Sequence, residues 1–115
     1  KCAKYKSGFK ADREGSFYIL KVTDTVCKFG ISNYPEDRIR SIQNKSCFDI
    51  ELMYLFTFDD GYIARLIETT IIESDIQKGV VNRCDMRSGF SETFYLKDLS
   101  RVLSIVDDFT NNLSG

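Results

Sequence analysis

The feature that most constrains the fold is a pair of short apolar segments joined by a turn. SFYILKV (16–22) and VCKFGIS (26–32) are rich in β-branched and aromatic residues, and TDT separates them. Segments of this composition form strands, and so short a turn predicts that they pair as an antiparallel hairpin. The next segment, SNYPEDRIRSIQNK, offers Ser32 or Asn33 as a cap, a proline for the first turn and two acidic residues. This pattern predicts a helix.

Four more elements are predicted further along the chain. FDIELMYLFTF (48–58) has apolar side chains on both faces, which predicts a third strand buried on both sides. Asp59 or Asp60 is expected to cap a long helix that ends at Gly79. After an irregular stretch (80–91), TFYL predicts a short strand and KDLSRVLSIVDDF predicts a last helix.

This order of elements predicts a small α+β domain. A β-β-α-β-α core would form a three-stranded antiparallel sheet flanked by helices, and a β-α extension would follow it at the C-terminus. The chain has 115 residues, 43% of them hydrophobic, which predicts a single domain over residues 16–115 after a polar arm over 1–15. No apolar run is long enough to span a membrane and no signal-peptide segment is visible, so we expect an intracellular, cytoplasmic protein with no membrane partner.

The reactive residue types exclude several mechanisms. The chain has no histidine, which removes every mechanism that depends on a histidine base or metal ligand. Four cysteines are present without a CxxC pair. They are expected to be reduced in an intracellular protein, and a zinc site would have to bring all four together from distant positions. Any chemistry must therefore come from Tyr, Lys, Arg, Asp or Glu.

Charge is distributed unevenly, although the formal net charge is only −1. Residues 1–13 contain five basic residues and one acidic residue, a balance of +4, and the rest of the chain contains 11 basic and 16 acidic residues, a balance of −5. A basic arm on an acidic body fits a polyanionic partner, and a solvated terminus is the alternative explanation. The candidate contacts to nucleic acid are Lys4, Lys6, Lys10, Arg13, Arg40 and Lys45.

Several polar side chains are expected to meet beside the hairpin. Tyr18 and Lys28 lie on paired strands, where their long side chains can project together. Gly30 leaves room for a backbone or a ligand to approach closely. Arg38 falls in the first turns of the next helix and can point over the same surface.

Glu68 completes this candidate set from the long helix, where it lies beside the apolar seam. Metal-assisted phosphodiester cleavage needs these residue types, since Glu can hold a hard cation, Tyr or Lys can orient or deprotonate a water, and Arg can bind the phosphate. Each residue also has an ordinary structural explanation, and Glu68 could simply pair with Arg65.

The stretches that carry these residues resemble the signature of the GIY-YIG nuclease superfamily. SFY (16–18) stands in the GIY position and KFG (28–30) in the YIG position. The spacing in GISNYPEDR is similar to that of the family and places its arginine at Arg38. ARLIE (64–68) resembles the family's helix segment that ends in the metal-binding glutamate, here Glu68. The resemblance covers residues 16–78.

The chain departs from this signature at several positions. Lys28 replaces the second motif tyrosine, as in a branch of the superfamily that is common in phage and viral proteins. SFY lacks the opening glycine, and the family's late Pro-x-x-Asn pattern has no clear counterpart, with Asn82 as a weak candidate for the asparagine. Glu92 is a weak rival for the metal-binding role, although we expect it in a cap or at the surface.

The resemblance implies a metal-dependent endonuclease or nickase that hydrolyses nucleic acid, with DNA as the expected substrate. It implies one Mg²⁺ or Mn²⁺ on Glu68, with Tyr18 as general base or water-orienting group and Arg38 stabilising the phosphate. Lys28 would support Tyr18 by adding positive charge nearby, or would bind phosphate. The alternatives are a nuclease-derived binding module that no longer cuts and a protein-interaction domain unrelated to nucleic acid.

Overall fold

The computed structural model describes residues 9–81 and 90–114. The strands are β1 (Gly15–Lys21), β2 (Val26–Ser32), β3 (Glu51–Phe58) and β4 (Thr93–Tyr95), and the helices are α1 (Pro35–Asn44), α2 (Gly61–Glu73) and α3 (Leu99–Ser114). Two short 3₁₀ turns, Phe90–Glu92 and Leu96–Asp98, flank β4. Within this part of the chain, no helix is long and apolar enough to cross a membrane.

The sheet has four antiparallel strands in the order β3-β1-β2-β4. The predicted hairpin is confirmed, since β1 and β2 pair along their whole length. The predicted antiparallel sheet flanked by helices is confirmed, but it has four strands instead of three, because the C-terminal TFY segment adds β4 to the outer edge of β2. Phe94 on β4 is fully buried, so this added strand brings an apolar side chain into the core.

Side chains on the sheet alternate between two apolar clusters. Phe17 and Ile19 of β1 belong to a larger cluster that includes Ile67 of α2 and Val102 of α3. The intervening side chains of β1 belong to a smaller cluster with Ile42 of α1. β1 is therefore buried on both faces, because helices cover the sheet on both sides.

The predicted third strand is present as β3, but the prediction that it is buried on both sides is wrong. β3 is an edge strand, and its pairing with β1 shifts register between Ile19 and Leu20, which pair with Tyr54 and Leu52. Met53 is the extra residue of this bulge and packs against the larger cluster, whereas Leu52 and Leu55 remain more than 40% exposed.

Two predicted helix ends also differ from the structure. Asp60 caps α2 as predicted by accepting a hydrogen bond from the Tyr62 backbone N–H. The helix ends at Glu73 instead of Gly79, because the Ser74 backbone N–H and hydroxyl both donate to the Ile71 carbonyl oxygen and Ser74 turns to an extended conformation.

At the start of α1, Tyr34 occupies the capping position without a side-chain cap. The prediction that Ser32 or Asn33 caps this helix is wrong. The Ser32 hydroxyl accepts a hydrogen bond from the Tyr34 backbone N–H, and the Asn33 side chain binds the segment before β1.

Candidate active site

A cavity of about 420 Å³ lies beside the part of β2 that β4 leaves uncovered. β4 pairs only with Val26–Lys28, so within the described residues no strand flanks Phe29–Ser32 on the outer side. The cavity walls come from β1 and β2, from α1 with the residues just before it, from α2, from the segment before β1 and from the 3₁₀ turn that ends at Glu92. The lining residues are Phe9, Tyr18, Gly30, Ile31, Ser32, Asn33, Tyr34, Arg38, Arg65, Glu68 and Glu92.

Tyr18 and Gly30 face each other across the β1–β2 pair at one wall of this cavity. A Cβ atom on residue 30 would lie 2.4 Å from the Tyr18 hydroxyl oxygen and 2.6 Å from its ring carbon Cζ. Glycine is therefore needed here because the phenol ring lies directly over the backbone of β2. This contact holds the Tyr18 hydroxyl at the cavity.

Lys28 is fully buried and is held by two oxygen atoms. Its Nζ donates to the Phe29 carbonyl oxygen at 2.9 Å and to Glu92 Oε1 at 3.1 Å. The same Nζ lies 5.6 Å from the centroid of the Tyr18 ring. A buried ammonium needs a counter-ion, and Glu92 supplies it from the turn that precedes β4.

Glu92 is thus a residue that we placed wrongly from the sequence. We expected it in a cap or at the surface, but its side chain is 27% exposed, pairs with Lys28 and lines the cavity. The signal that could have located it is the pairing of β4 with β2, in which Thr93 lies opposite Lys28. The residue before Thr93 is then placed next to Lys28.

Glu68 reaches the cavity from α2, whose neighbouring residues Ala64, Ile67 and Ile71 are fully buried. Burial is the main factor that raises the pKa of Glu68 from 4.5 to about 7. The negative charge of Glu92 and a hydrogen bond to Glu92 raise this pKa further, while the charges of Lys28 and Arg65 lower it. In the folded protein the Glu68 carboxyl group therefore keeps its proton up to about neutral pH.

Arg38 and Arg65 bring two positive charges to the cavity lining. Arg38 extends from the first turn of α1, and none of the described residues forms a side-chain hydrogen bond or ion pair with its guanidinium. Arg65 does not form the ion pair with Glu68 that we considered from the sequence. Its Nη2 donates to the Phe9 carbonyl oxygen at 3.3 Å, and its guanidinium lies 5.4 Å from the centroid of the Phe9 ring.

Asn33 ties the segment before β1 to the edge of the cavity. Its side-chain oxygen accepts from the Lys10 backbone N–H at 2.7 Å, and its side-chain nitrogen donates to the carbonyl oxygens of Lys10 and Glu14. The Gly61 backbone N–H also donates to the Arg13 carbonyl oxygen. These bonds place Phe9 in the cavity wall, a contact that the polar composition of the segment did not predict.

The remaining sequence candidates that the structure describes lie outside this cavity. Lys10, Arg13, Arg40 and Lys45 are exposed. Arg40 pairs with Asp37 at 3.3 Å. Lys4, Lys6 and Asn82 fall outside the described residues, so their predicted roles stay predictions.

The two carboxyl groups are suitable ligands for a hard divalent cation. Over residues 9–81 and 90–111, the structure contains no cluster of three or more His, Cys, Asp or Glu side chains that could hold a metal ion. Mg²⁺ is nevertheless commonly bound by one or two carboxylates, with water and substrate phosphate as its other ligands. Glu68 and Glu92 line the same cavity, and Glu92 is already paired with Lys28, so Glu68 is the carboxylate that remains available to such a cation.

Comparison with known proteins gives one informative similarity. A protein of Escherichia phage T5 named "Putative endonuclease" is 29% identical to this chain over 106 residues, which is 89% of the chain. The chain spans 42% of that protein's length. No protein-family model and no solved structure matches the chain. The similarity is consistent with a nuclease and leaves the superfamily resemblance as a hypothesis based on the motif residues.

Proposed function

We propose that this domain is a metal-dependent endonuclease or nickase that hydrolyses phosphodiester bonds in nucleic acid, with DNA as the substrate. The observation that carries the proposal is the single cavity that joins Tyr18, Arg38 and Glu68 around Gly30. These residues come from three different elements, and the superfamily signature assigns all of them to one reaction. The similarity to a phage protein with an endonuclease name supports the same class.

Tyr18 is proposed to act on the attacking water as general base or as the group that orients it. Its ring is fixed against the backbone of Gly30, and the residue lines the cavity. Lys28 lies beneath the ring and adds positive charge next to this hydroxyl. Glu92 keeps that charge in place, so we assign Glu92 as the positioning residue for Lys28.

Arg38 is proposed to bind the scissile phosphate and to stabilise the negative charge that develops on it. Arg38 lines the cavity, and no carboxylate in the described part of the chain pairs with its guanidinium, so the guanidinium is available to bind an anion. Glu68 would hold one Mg²⁺ or Mn²⁺. When bound, such a cation supplies Lewis-acid activation of the phosphate and a template for substrate.

The test is conversion of supercoiled plasmid to nicked or linear product in the presence of Mg²⁺. Glu68→Ala is expected to abolish the conversion, because it removes the carboxylate that is central to the proposed metal site. Glu73→Ala is the matched control, since Glu73 is an exposed carboxylate at the end of the same helix. Cleavage by Glu68→Ala at the wild-type rate would refute the proposed role, and Glu92→Ala would then be examined.

The alternative is a nuclease-derived module that binds nucleic acid without cutting it. The family's late Pro-x-x-Asn pattern has no clear counterpart in this chain, which favours this alternative. Salt-sensitive binding of DNA by the wild type, with no plasmid conversion in Mg²⁺ or Mn²⁺, would support the binding module over the enzyme.

A further inference from the structure

An exposed aromatic ring stands at the edge of the candidate active site. Tyr34 is 66% exposed, more than any other large hydrophobic side chain in the described part of the chain. It nevertheless lines the same cavity as Tyr18, Arg38 and Glu68. An aromatic ring that is left in water beside a cavity lined by an arginine without a carboxylate partner in the described part of the chain is available to a flat, apolar ligand surface.

The backbone that carries this ring is held on both sides. The Tyr34 backbone N–H donates to the Ser32 hydroxyl at 2.9 Å, and the Tyr34 carbonyl oxygen accepts from the Arg38 backbone N–H at 3.1 Å. Pro35 follows directly and restricts the first turn of α1. Asn33, which precedes it, is bound through its side chain to two backbone carbonyl oxygens. The ring is therefore presented from a fixed position instead of from a loose loop.

Tyr34 and Arg38 offer one group for each of two parts of a nucleotide. The residues lie one helical turn apart and line the same cavity, so a guanidinium for the phosphate is paired with a ring for an adjacent base. A base inside an intact duplex is stacked on both faces and paired at its edge, so its face is not available to a protein ring. The ring can be used only if the nucleotide is unpaired or is drawn out of the stack.

We propose that Tyr34 stacks on a base next to the scissile phosphate, and that the preferred substrate is single-stranded or locally unpaired nucleic acid. This inference rests on the proposed function and specifies its substrate class. Tyr34 acts as a specificity residue in this arrangement. It binds the flanking nucleotide and takes no part in the hydrolysis itself.

The inference is tested by binding of a fluorescently labelled DNA oligonucleotide, with Ca²⁺ in place of Mg²⁺. The same labelled strand is used alone and annealed to its complement. Tyr34→Leu is expected to weaken binding of the single strand on the order of tenfold and to change duplex binding much less. Tyr34→Trp is expected to retain the affinity, because it keeps a stacking surface.

Tyr62→Leu is the matched control. Tyr62 is 52% exposed and lies outside the lining of the cavity, so its loss should leave both affinities unchanged. Because both tyrosines are exposed, the variants are expected to fold, and circular dichroism checks this. The inference is refuted if Tyr34→Leu binds both forms of DNA as the wild type does, or weakens both equally.

The outcomes also separate this inference from the proposed function. If the wild type cuts plasmid and Glu68→Ala does not, a neutral Tyr34→Leu refutes only the stacking role. If the wild type binds neither form of DNA, both the proposed function and the stacking role are refuted. A selective loss of single-strand binding in Tyr34→Leu supports the inference even if cleavage is slow.

Discussion

Glu68→Gln is expected to make the folded protein more stable at alkaline pH while it removes the proposed metal site. The buried position of Glu68 raises its pKa in the folded protein from 4.5 to about 7. Below pH 4.5 both the folded and the unfolded chain carry the proton, so ionisation of Glu68 does not lower the free energy of unfolding. Between pH 4.5 and about 7 the folded chain holds a proton that the unfolded chain has released, and the free energy of unfolding falls as the pH rises. Above about pH 7 the free energy of unfolding has fallen by the full amount and does not change further through Glu68.

The size of the effect follows from the same pKa. At about 1.4 kcal/mol per pH unit, the rise from 4.5 to about 7 sets a ceiling of about 3 kcal/mol on the loss. Glu68 is partly exposed, so solvent screening reduces the expected loss to ~1–2 kcal/mol. Glutamine has nearly the same shape and cannot ionise. The variant should therefore be more stable than the wild type by this amount above neutral pH, and the difference should disappear in acid.

Urea unfolding followed by circular dichroism, in the presence of a chelator, measures this difference across the pH range. Glu73→Gln is the control, because its carboxylate is exposed on the same helix. Adding Mg²⁺ at alkaline pH should then stabilise the wild type and leave Glu68→Gln unchanged. The reasoning is wrong if the wild type and Glu68→Gln differ by the same free energy at every pH.

The remaining predictions concern three other residues of the candidate site and the lysines at the N-terminus. Lys28→Met should lower the single-turnover cleavage rate by ~10²-fold or more, and Lys28→Arg should retain more activity because it keeps the charge; equal rates for both variants would contradict this. Gly30→Ala should cost ~1–3 kcal/mol in urea unfolding, since its methyl group meets the Tyr18 ring, and most of the cost should vanish in a Tyr18→Ala background. Glu92→Gln should slow cleavage in the wild type but add little to Lys28→Met, as double-mutant kinetics would show. Deleting residues 1–8, which carry three lysines, should reduce the log–log salt slope of DNA binding by ~3, and an unchanged slope would indicate a solvated tail.

Local patterns predicted much of the framework of the site. The hairpin follows from two strands and a short turn, so Tyr18 and Lys28 could be assigned to paired strands from the sequence, whereas the register itself places Gly30 opposite Tyr18 and Leu20 opposite Lys28. The start of α1 follows from Pro35 and the acidic residues after it, which places Arg38 in the first turn. These features depend on residues that are close in sequence.

Features that depend on distant residues were not predictable in the same way. The pairing of β4 with β2 joins segments from opposite ends of the domain, and no local pattern specifies it. Glu92 was misplaced for this reason. The bulge at Met53 was missed because regular alternation was assumed along a strand that lies at the edge of the sheet. The contact of Phe9 with Arg65 depends on Asn33, whose side chain binds the segment that contains Phe9. The sequence pattern had assigned Asn33 to a helix cap, so this contact was missed.

The ion pair between Lys28 and Glu92 has a consequence for how the protein is made. Its partners are separated by 64 residues, so a chain emerging from the ribosome presents Tyr18, Arg38 and Glu68 well before the counter-ion of Lys28 exists. Until β4 docks, the ammonium has no carboxylate to hold it inside the sheet, and the first three strands form an incomplete domain. In a partly synthesised chain, or in one truncated before β4, Lys28 therefore lacks the carboxylate that pairs with it in the folded domain.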